Sequence, residues 1–253
     1  MKGSSGEAVP CASLRSLSSK VGNILCCCGS NTNSPHKKKY KRLDSKLETK
    51  MAELKRRNTV RNFTSINSII LRFPQFREAL KTIGTVFEQF DEDSNGTIDR
   101  QELRKCLEKL QLQMTDKDVD DLFHSCDMDG TEGIQFKEYI VLLCLIHLLK
   151  DPSPSASQGP RMGSLQLEAT FDAIIEAFLF LDKNGDGKLN KKDLIKSLDD
   201  PSPWEKSPAY VAMSRFKEMD WDRNGNVSFR EFLFALVDWV GLDIEDDIPI
   251  AET

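Results

Sequence analysis

Histidine is scarce in this chain, with 3 among 253 residues, and tryptophan and tyrosine are equally rare at 3 each. None of the 7 cysteines stands at metal-ligand spacing from a histidine, which removes zinc sites built from those two residue types. An odd cysteine count without a secretory leader argues for free thiols in a reducing compartment. No apolar run approaches the ~18 residues that a membrane-spanning helix needs. The longest, residues 139–146, is far too short. Also missing are a glycine-rich phosphate loop, a nucleophile elbow, an HExxH pair and a Cys–His pair in a usable frame, so the sequence does not point to an enzyme. His36, His124 and His147 fall in a tail and on helical text, where surface or packing roles are expected.

What is present is charge, unevenly placed. The net charge of −5 hides a polarity. Residues 1–61 carry 14 Lys and Arg against 4 Asp and Glu, and the remainder carries 21 against 36. A basic leader on an acidic body points to a membrane surface, an anionic partner, or the leader docking on its own body. No nucleic-acid partner is expected.

Residues 1–42 are rich in Ser, Gly and Lys with few large apolar residues, a composition that predicts disorder. Helical text follows, with Leu43, Leu47, Met51 and Leu54 at spacings of three or four. A short helix is expected over 64–73, ended by Pro74. From Phe76 onward the pattern is helix, acidic loop, helix, four times over. The loops begin at Asp91, Asp127, Asp182 and Asp220, at spacings of 36, 55 and 38 residues, so they form two pairs. The expected organisation is a basic leader over 1–61, a first pair over 62–150, a linker over 151–165, a second pair over 166–243 and an acidic tail over 244–253. Prolines and glycines in the linker predict two lobes that move semi-independently. Ile66, Ile69, Ile70, Phe73 and Phe76 form an apolar set beside basic residues. They are expected to dock on a groove of the body or to pack as an extra helix on the first pair.

The loops carry the chemistry. Calcium takes six to eight oxygens, which a twelve-residue loop supplies from positions 1, 3, 5, 7 (a backbone carbonyl), 9 and 12, with glycine at 6 for the turn. The first loop, DEDSNGTIDRQE, is complete: Asp91, Asp93, Asn95, Thr97, Asp99 and Glu102 are the expected ligands, with Gly96 at the turn. The fourth, DWDRNGNVSFRE, is also complete, with Asp220, Asp222, Asn224, Asn226 and Glu231 as ligands, Ser228 at position 9 and Gly225 at the turn. The third, DKNGDGKLNKKD, offers Asp182, Asn184, Asp186 and the Lys188 carbonyl, but closes on Asp193 instead of Glu. The shorter side chain makes bidentate closure harder, so this loop should be weaker and should let Mg²⁺ compete with Ca²⁺. The second, DMDGTEGIQFKE, has Asp127, Asp129 and Glu138 in place, but Thr131 is a poor ligand. Glu132 replaces the turn glycine, which sits one place later at Gly133. This loop is expected to bind weakly or to be silent.

These motifs, with the frames FEQFDEDSNGTIDRQEL and FKEMDWDRNGNVSFREFLFALVDWVG, resemble calmodulin and its relatives. Over about residues 62–245 they resemble in particular the plant calmodulin-like calcium-binding proteins with a long basic leader. The resemblance implies an all-α fold of two EF-hand pairs, four helix–loop–helix units in all. Short two-stranded bridges would join the loops through Ile98 with Ile134 and Leu189 with Val227. It implies a calcium sensor that opens a hydrophobic groove for amphipathic helices of target proteins. A calcium buffer, or a non-catalytic regulatory subunit of an enzyme, is the alternative. The body has few methionines, which narrows the expected partner list. Two helices, after loops two and four, are apolar on all sides and must be buried all round or await a partner. The adjacent Cys26, Cys27 and Cys28, followed by the basic run 36–42, are candidate lipidation sites for a reversible membrane anchor. The expected location is the cytoplasm with membrane association, and the alternatives are nuclear or organellar.

Overall fold

The computed structural model describes residues 41–57, 62–110, 114–149, 164–198 and 209–242. Cys26, Cys27, Cys28 and most of the linker lie outside these residues. The helices are α1 (Lys41–Arg57), α2 (Ile66–Ile70), α3 (Phe73–Lys81), α4 (Ile83–Phe90), α5 (Arg100–Lys109), α6 (Asp116–Cys126), α7 (Phe136–Leu149), α8 (Leu165–Leu181), α9 (Lys191–Leu198), α10 (Ala209–Met219) and α11 (Phe229–Val240). Strands β1 (Leu189–Asn190) and β2 (Asn226–Val227) complete the set. The four acidic loops join α4 to α5, α6 to α7, α8 to α9 and α10 to α11. The fold is all-α with paired helix–loop–helix units, as the resemblance implies.

Each pair of loops is tied at its apolar eighth position. Ile98 and Ile134 exchange backbone hydrogen bonds of 2.8 and 2.9 Å as an antiparallel bridge. Leu189 pairs with Val227 and Asn190 with Asn226 in the second. All four apolar bridge residues are fully buried.

Two helical expectations change. Pro74 does not end a helix: it lies in the first turn of α3, where its missing N–H leaves no bond unmade. The helix over 64–73 is instead the short α2, N-capped by Ser65, which accepts from the Ser68 amide while Ser68 Oγ accepts from the Ser65 amide. Segment 62–76 does pack on the body, but α3 lies against α8 and α11 of the second pair as well as against α4 of the first. Phe63, Ile69 and Phe76 are buried there, and Ile70 stays exposed.

The expectation of independent lobes is also corrected. The strongly apolar α7 packs on α1, α4, α6, α8 and α11, and α11 packs on α1, α3, α7 and α10. Residues 139–146 of α7 are all buried. Helices this apolar keep little solvent face, so each is covered largely by the other pair, and one continuous core joins both. Helix α1 lies along this seam. Leu43, Leu47 and Met51, one helical turn apart, are 6%, 1% and 0% exposed. Its polar flank pairs with the body through Arg42 with Asp118 and Asp121, and Lys46 with Asp118.

Candidate metal centres

Each loop follows the end of one helix and runs into the start of the next, so its last acid also sits in the first turn of the exit helix. In loop one Asp99 is the N-cap of α5 and Glu102 its third residue, forming a reciprocal capping box. Ser228 and Glu231 do the same for α11. The position-12 carboxylates accept from backbone donors. Glu102 accepts from the Glu92 and Asp99 amides at 2.8 Å each. Glu138 accepts from Met128 at 2.8 Å and Gln135 at 2.9 Å. The first acid of the loop cradles the turn: Asp91 accepts from the Asn95 and Gly96 amides, and Asp182 from Gly185 and Gly187.

The geometry gathers three carboxylates at each of three loops: Asp91, Asp93 and Glu102; Asp127, Asp129 and Glu138; Asp220, Asp222 and Glu231. Within each group the oxygens lie within 4.8 Å of one another. Asp127 Oδ1, Asp220 Oδ1 and Glu231 Oε1 are buried without a hydrogen-bond partner among the described residues. Orphaned anionic oxygens facing one another in a desolvated loop are costly. A hard divalent cation with oxygen ligands would offset that cost, so these residues fit calcium. Burial pushes the Glu138 and Glu231 carboxyls up to about 7, with backbone donors opposing. Burial also raises Asp220 and Asp182.

The other expected ligands hydrogen-bond within their loops. Asn95 Oδ1 accepts from the Thr97 amide and hydroxyl, and Asn224 Oδ1 accepts from the Asn226 amide. In loop three Asn184 and Asp186 hold one another, and Asp186 also accepts from the Lys188 amide. Asp193 shows its shorter reach. It accepts from Asn190 at position 9, as a glutamate would, but its other oxygen accepts from Asn184 at position 3 instead of the position-2 amide. Among the described residues, loop three gathers no three-carboxylate cluster.

Loop two is better formed than its sequence suggests. Glu132 occupies the left-handed region at φ 63°, where Gly96, Gly187 and Gly225 stand in the other loops, so the backbone keeps the common shape at some strain. Gly133 is there for a different reason: a Cβ on it would lie 2.7 Å from Thr97 Oγ1 of the facing loop. The expected neutral ligand Thr131 donates to the Gly133 carbonyl at 3.2 Å. Asp129 accepts from the Gln135 side chain at 2.6 Å.

One residue that sequence reasoning passed over is Arg230, beside Glu231. It is buried, pairs with Asp44 of α1 at 3.3 and 3.4 Å, and donates to the Ser125 carbonyl at 3.2 Å. Its guanidinium lies over Trp221 of loop four. An arginine in an otherwise apolar stretch was the available signal. Cys106, Cys126 and Cys144 are free and buried, and burial raises all three thiols. No described helix is long and apolar enough to cross a membrane.

Comparison with known proteins agrees with this geometry. A family model described as an EF-hand domain pair matches residues 80–143, and one described as an EF hand matches 174–198. An Arabidopsis thaliana protein named "Probable calcium-binding protein CML22" is 53% identical over 88% of this chain and 98% of its own length. A second from that plant, "Probable calcium-binding protein CML21", is 44% identical over 79% of this chain and 87% of its own. Troponin C of Tachypleus tridentatus is 28% identical over 62% of this chain and 92% of its own length.

Proposed function

The chain belongs to the EF-hand family of calmodulin-like proteins, and from that premise we propose that it is a non-catalytic calcium sensor. The observation that carries this reading is the set of buried, partnerless carboxylate oxygens in loops that already hold the ligand order of a calcium site. Loops one and four have complete ligand sets. Loop two holds its acids in the same arrangement and would bind more weakly, because Thr131 is a poor donor and Glu132 is strained. Loop three, with Asp193 at its end, would let Mg²⁺ compete.

Calcium would draw the carboxylates at positions 1 and 12 of each loop onto one ion, and with them Glu102, Glu138 and Glu231. The exit helices α5, α7 and α11 carry those glutamates as their third residues, and α7 and α11 form the seam between the pairs. Cation binding would therefore act on the seam itself, opening apolar surface to an amphipathic helix of a target protein. Calorimetry on the full chain tests the assignment. Affinities in the sensor range of ~10⁻⁷–10⁻⁵ M are expected, and Glu102→Gln and Glu231→Gln should each remove one strong site. Undiminished binding in both variants would refute it.

The leader supplies location. Cys26, Cys27 and Cys28 would carry acyl chains and the neighbouring basic run would hold anionic lipid, placing the sensor at a cytoplasmic membrane face. A fluorescent fusion with all three cysteines changed to Ser should leave the membrane; equal retention would refute acylation as the anchor.

A further inference from the structure

Loop three differs from the others in what covers it. Helix α1 runs across it, more than 120 residues upstream in sequence. A Cβ on Gly187, at the turn, would lie 2.4 Å from the Glu48 carbonyl oxygen and 2.8 Å from Glu48 Cα. A Cβ on Gly185 would lie 3.3 Å from Lys55 Cγ. The corresponding turn glycines of loops one and four, Gly96 and Gly225, meet nothing within 4 Å. Two charged side chains of α1 reach the loop. Glu48 pairs with Lys188 at 3.0 Å. Lys55 donates to the Leu179 carbonyl at 2.5 Å in the last turn of α8, three residues before Asp182, which is 0% exposed.

We propose that α1 is the fixed outer wall of the third loop, and that Lys55 and Glu48 set its cation affinity in opposite senses. This rests on the reading that loop three takes a cation. Lys55 carries its positive charge beside the entry to the loop, at the Leu179 carbonyl and against Gly185. In a partly buried setting its repulsion of a divalent ion is weakly screened and lowers affinity on the order of tenfold. Glu48 neutralises Lys188, whose backbone carbonyl is the seventh-position ligand, and so raises affinity about threefold by the same reasoning. A wall of helix backbone against Gly187 also limits how far the loop can widen, which favours the smaller Mg²⁺ over Ca²⁺. The leader would thus set the third loop's threshold apart from those of loops one and four.

The test is a Ca²⁺ and Mg²⁺ titration of the full chain by amide NMR. The Gly187 amide, which donates to Asp182 at 3.0 Å, reports loop three. The amides of Gly96 and Gly225, which donate to Asp91 and Asp220, serve as internal controls. Lys55→Met and Lys55→Gln should lower the Ca²⁺ midpoint at Gly187 about tenfold and leave Gly96 unchanged. The second of these retains a donor for the Leu179 carbonyl should the first fail to fold. Glu48→Gln should raise the midpoint about threefold, and Lys55→Arg should match the native chain. Shifts of the same sign for the Lys55 and Glu48 variants, or no shift in either, would overturn the proposal. A Gly187 amide silent to both ions in every variant, while Gly96 and Gly225 respond, would overturn the cation reading of loop three and the proposal with it.

Discussion

Replacing Arg230 with Met should cost the metal-free protein about 4–5 kcal/mol of stability. The guanidinium side chain is 6% exposed, whereas its partner Asp44 is 23% exposed. Asp44 can therefore rehydrate in part when the pair is broken, so the penalty falls at the low end of the ~3–5 kcal/mol seen when one member of a buried pair is removed. The Ser125 carbonyl loses its 3.2 Å donor, worth about 1 kcal/mol. Loss of the contact with Trp221 adds roughly 0.5–1 kcal/mol. Met fills much of the volume, so the cavity contribution is small. Arg230→Lys should lose about 2 kcal/mol, because one ammonium cannot face both Asp44 oxygens and the carbonyl together. The assay is urea unfolding of the full chain in chelator, with Asp44→Asn and the double variant completing a cycle. A coupling of about 1–2 kcal/mol between the two positions is expected. An Arg230→Met loss under about 0.5 kcal/mol, the usual range for surface changes, or strict additivity in the cycle, would refute the idea that this residue clamps α1 and both pairs together.

Other outcomes follow from the loops. With the carboxyls of Glu138 and Glu231 raised to about 7, above their unfolded value, the metal-free fold gains from their protons below the unfolded pKa. It loses that gain as pH rises through 7, by about 3 kcal/mol per group at most. Chelated protein should therefore be less stable near pH 8 than near pH 5.5 through these two groups, and calcium should release about one proton per such site at pH 6.5 and almost none at 8.5. Calorimetry in buffers of different ionisation heat checks the release, and a buffer-independent heat at pH 6.5 would contradict it. Gly133→Ala should cost about 2 kcal/mol by driving a methyl into Thr97, and Thr97→Gly should restore most of it; a neutral Gly133→Ala in urea unfolding would sink that account. Glu138→Gln should remove a weak site and leave the strong ones intact, so if it causes the largest loss of calcium binding the ordering of the loops is wrong.

The ligand positions were legible because a calcium loop is a local object. Its donors lie within twelve residues, and glycine at the turn is a backbone requirement that needs no knowledge of the rest of the chain. The bridges at Ile98 and Val227 came with that frame. What escaped were the contacts made at long range. Pro74 reads equally as a stop or as a first-turn residue, and only the packing of α3 on α8 and α11 decides. The linker's composition says nothing of the faces it connects, so the seam between α7 and α11 could be read as a core or as an unfilled site. Gly133 looked like a displaced turn glycine because its real neighbour, Thr97, lies in the other loop. The wall that α1 makes against Gly187 was invisible for the same reason.

The sensor account stands on whether calcium uncovers the seam. Titrating calcium into the full chain with a fluorescent hydrophobic dye present, alongside calorimetry of the same sample, tests this most directly. The account predicts a saturable rise in dye fluorescence that tracks occupancy of the strong loops and is blunted in Glu231→Gln. Full calcium binding with no change in dye fluorescence would contradict it and leave a buffer in its place.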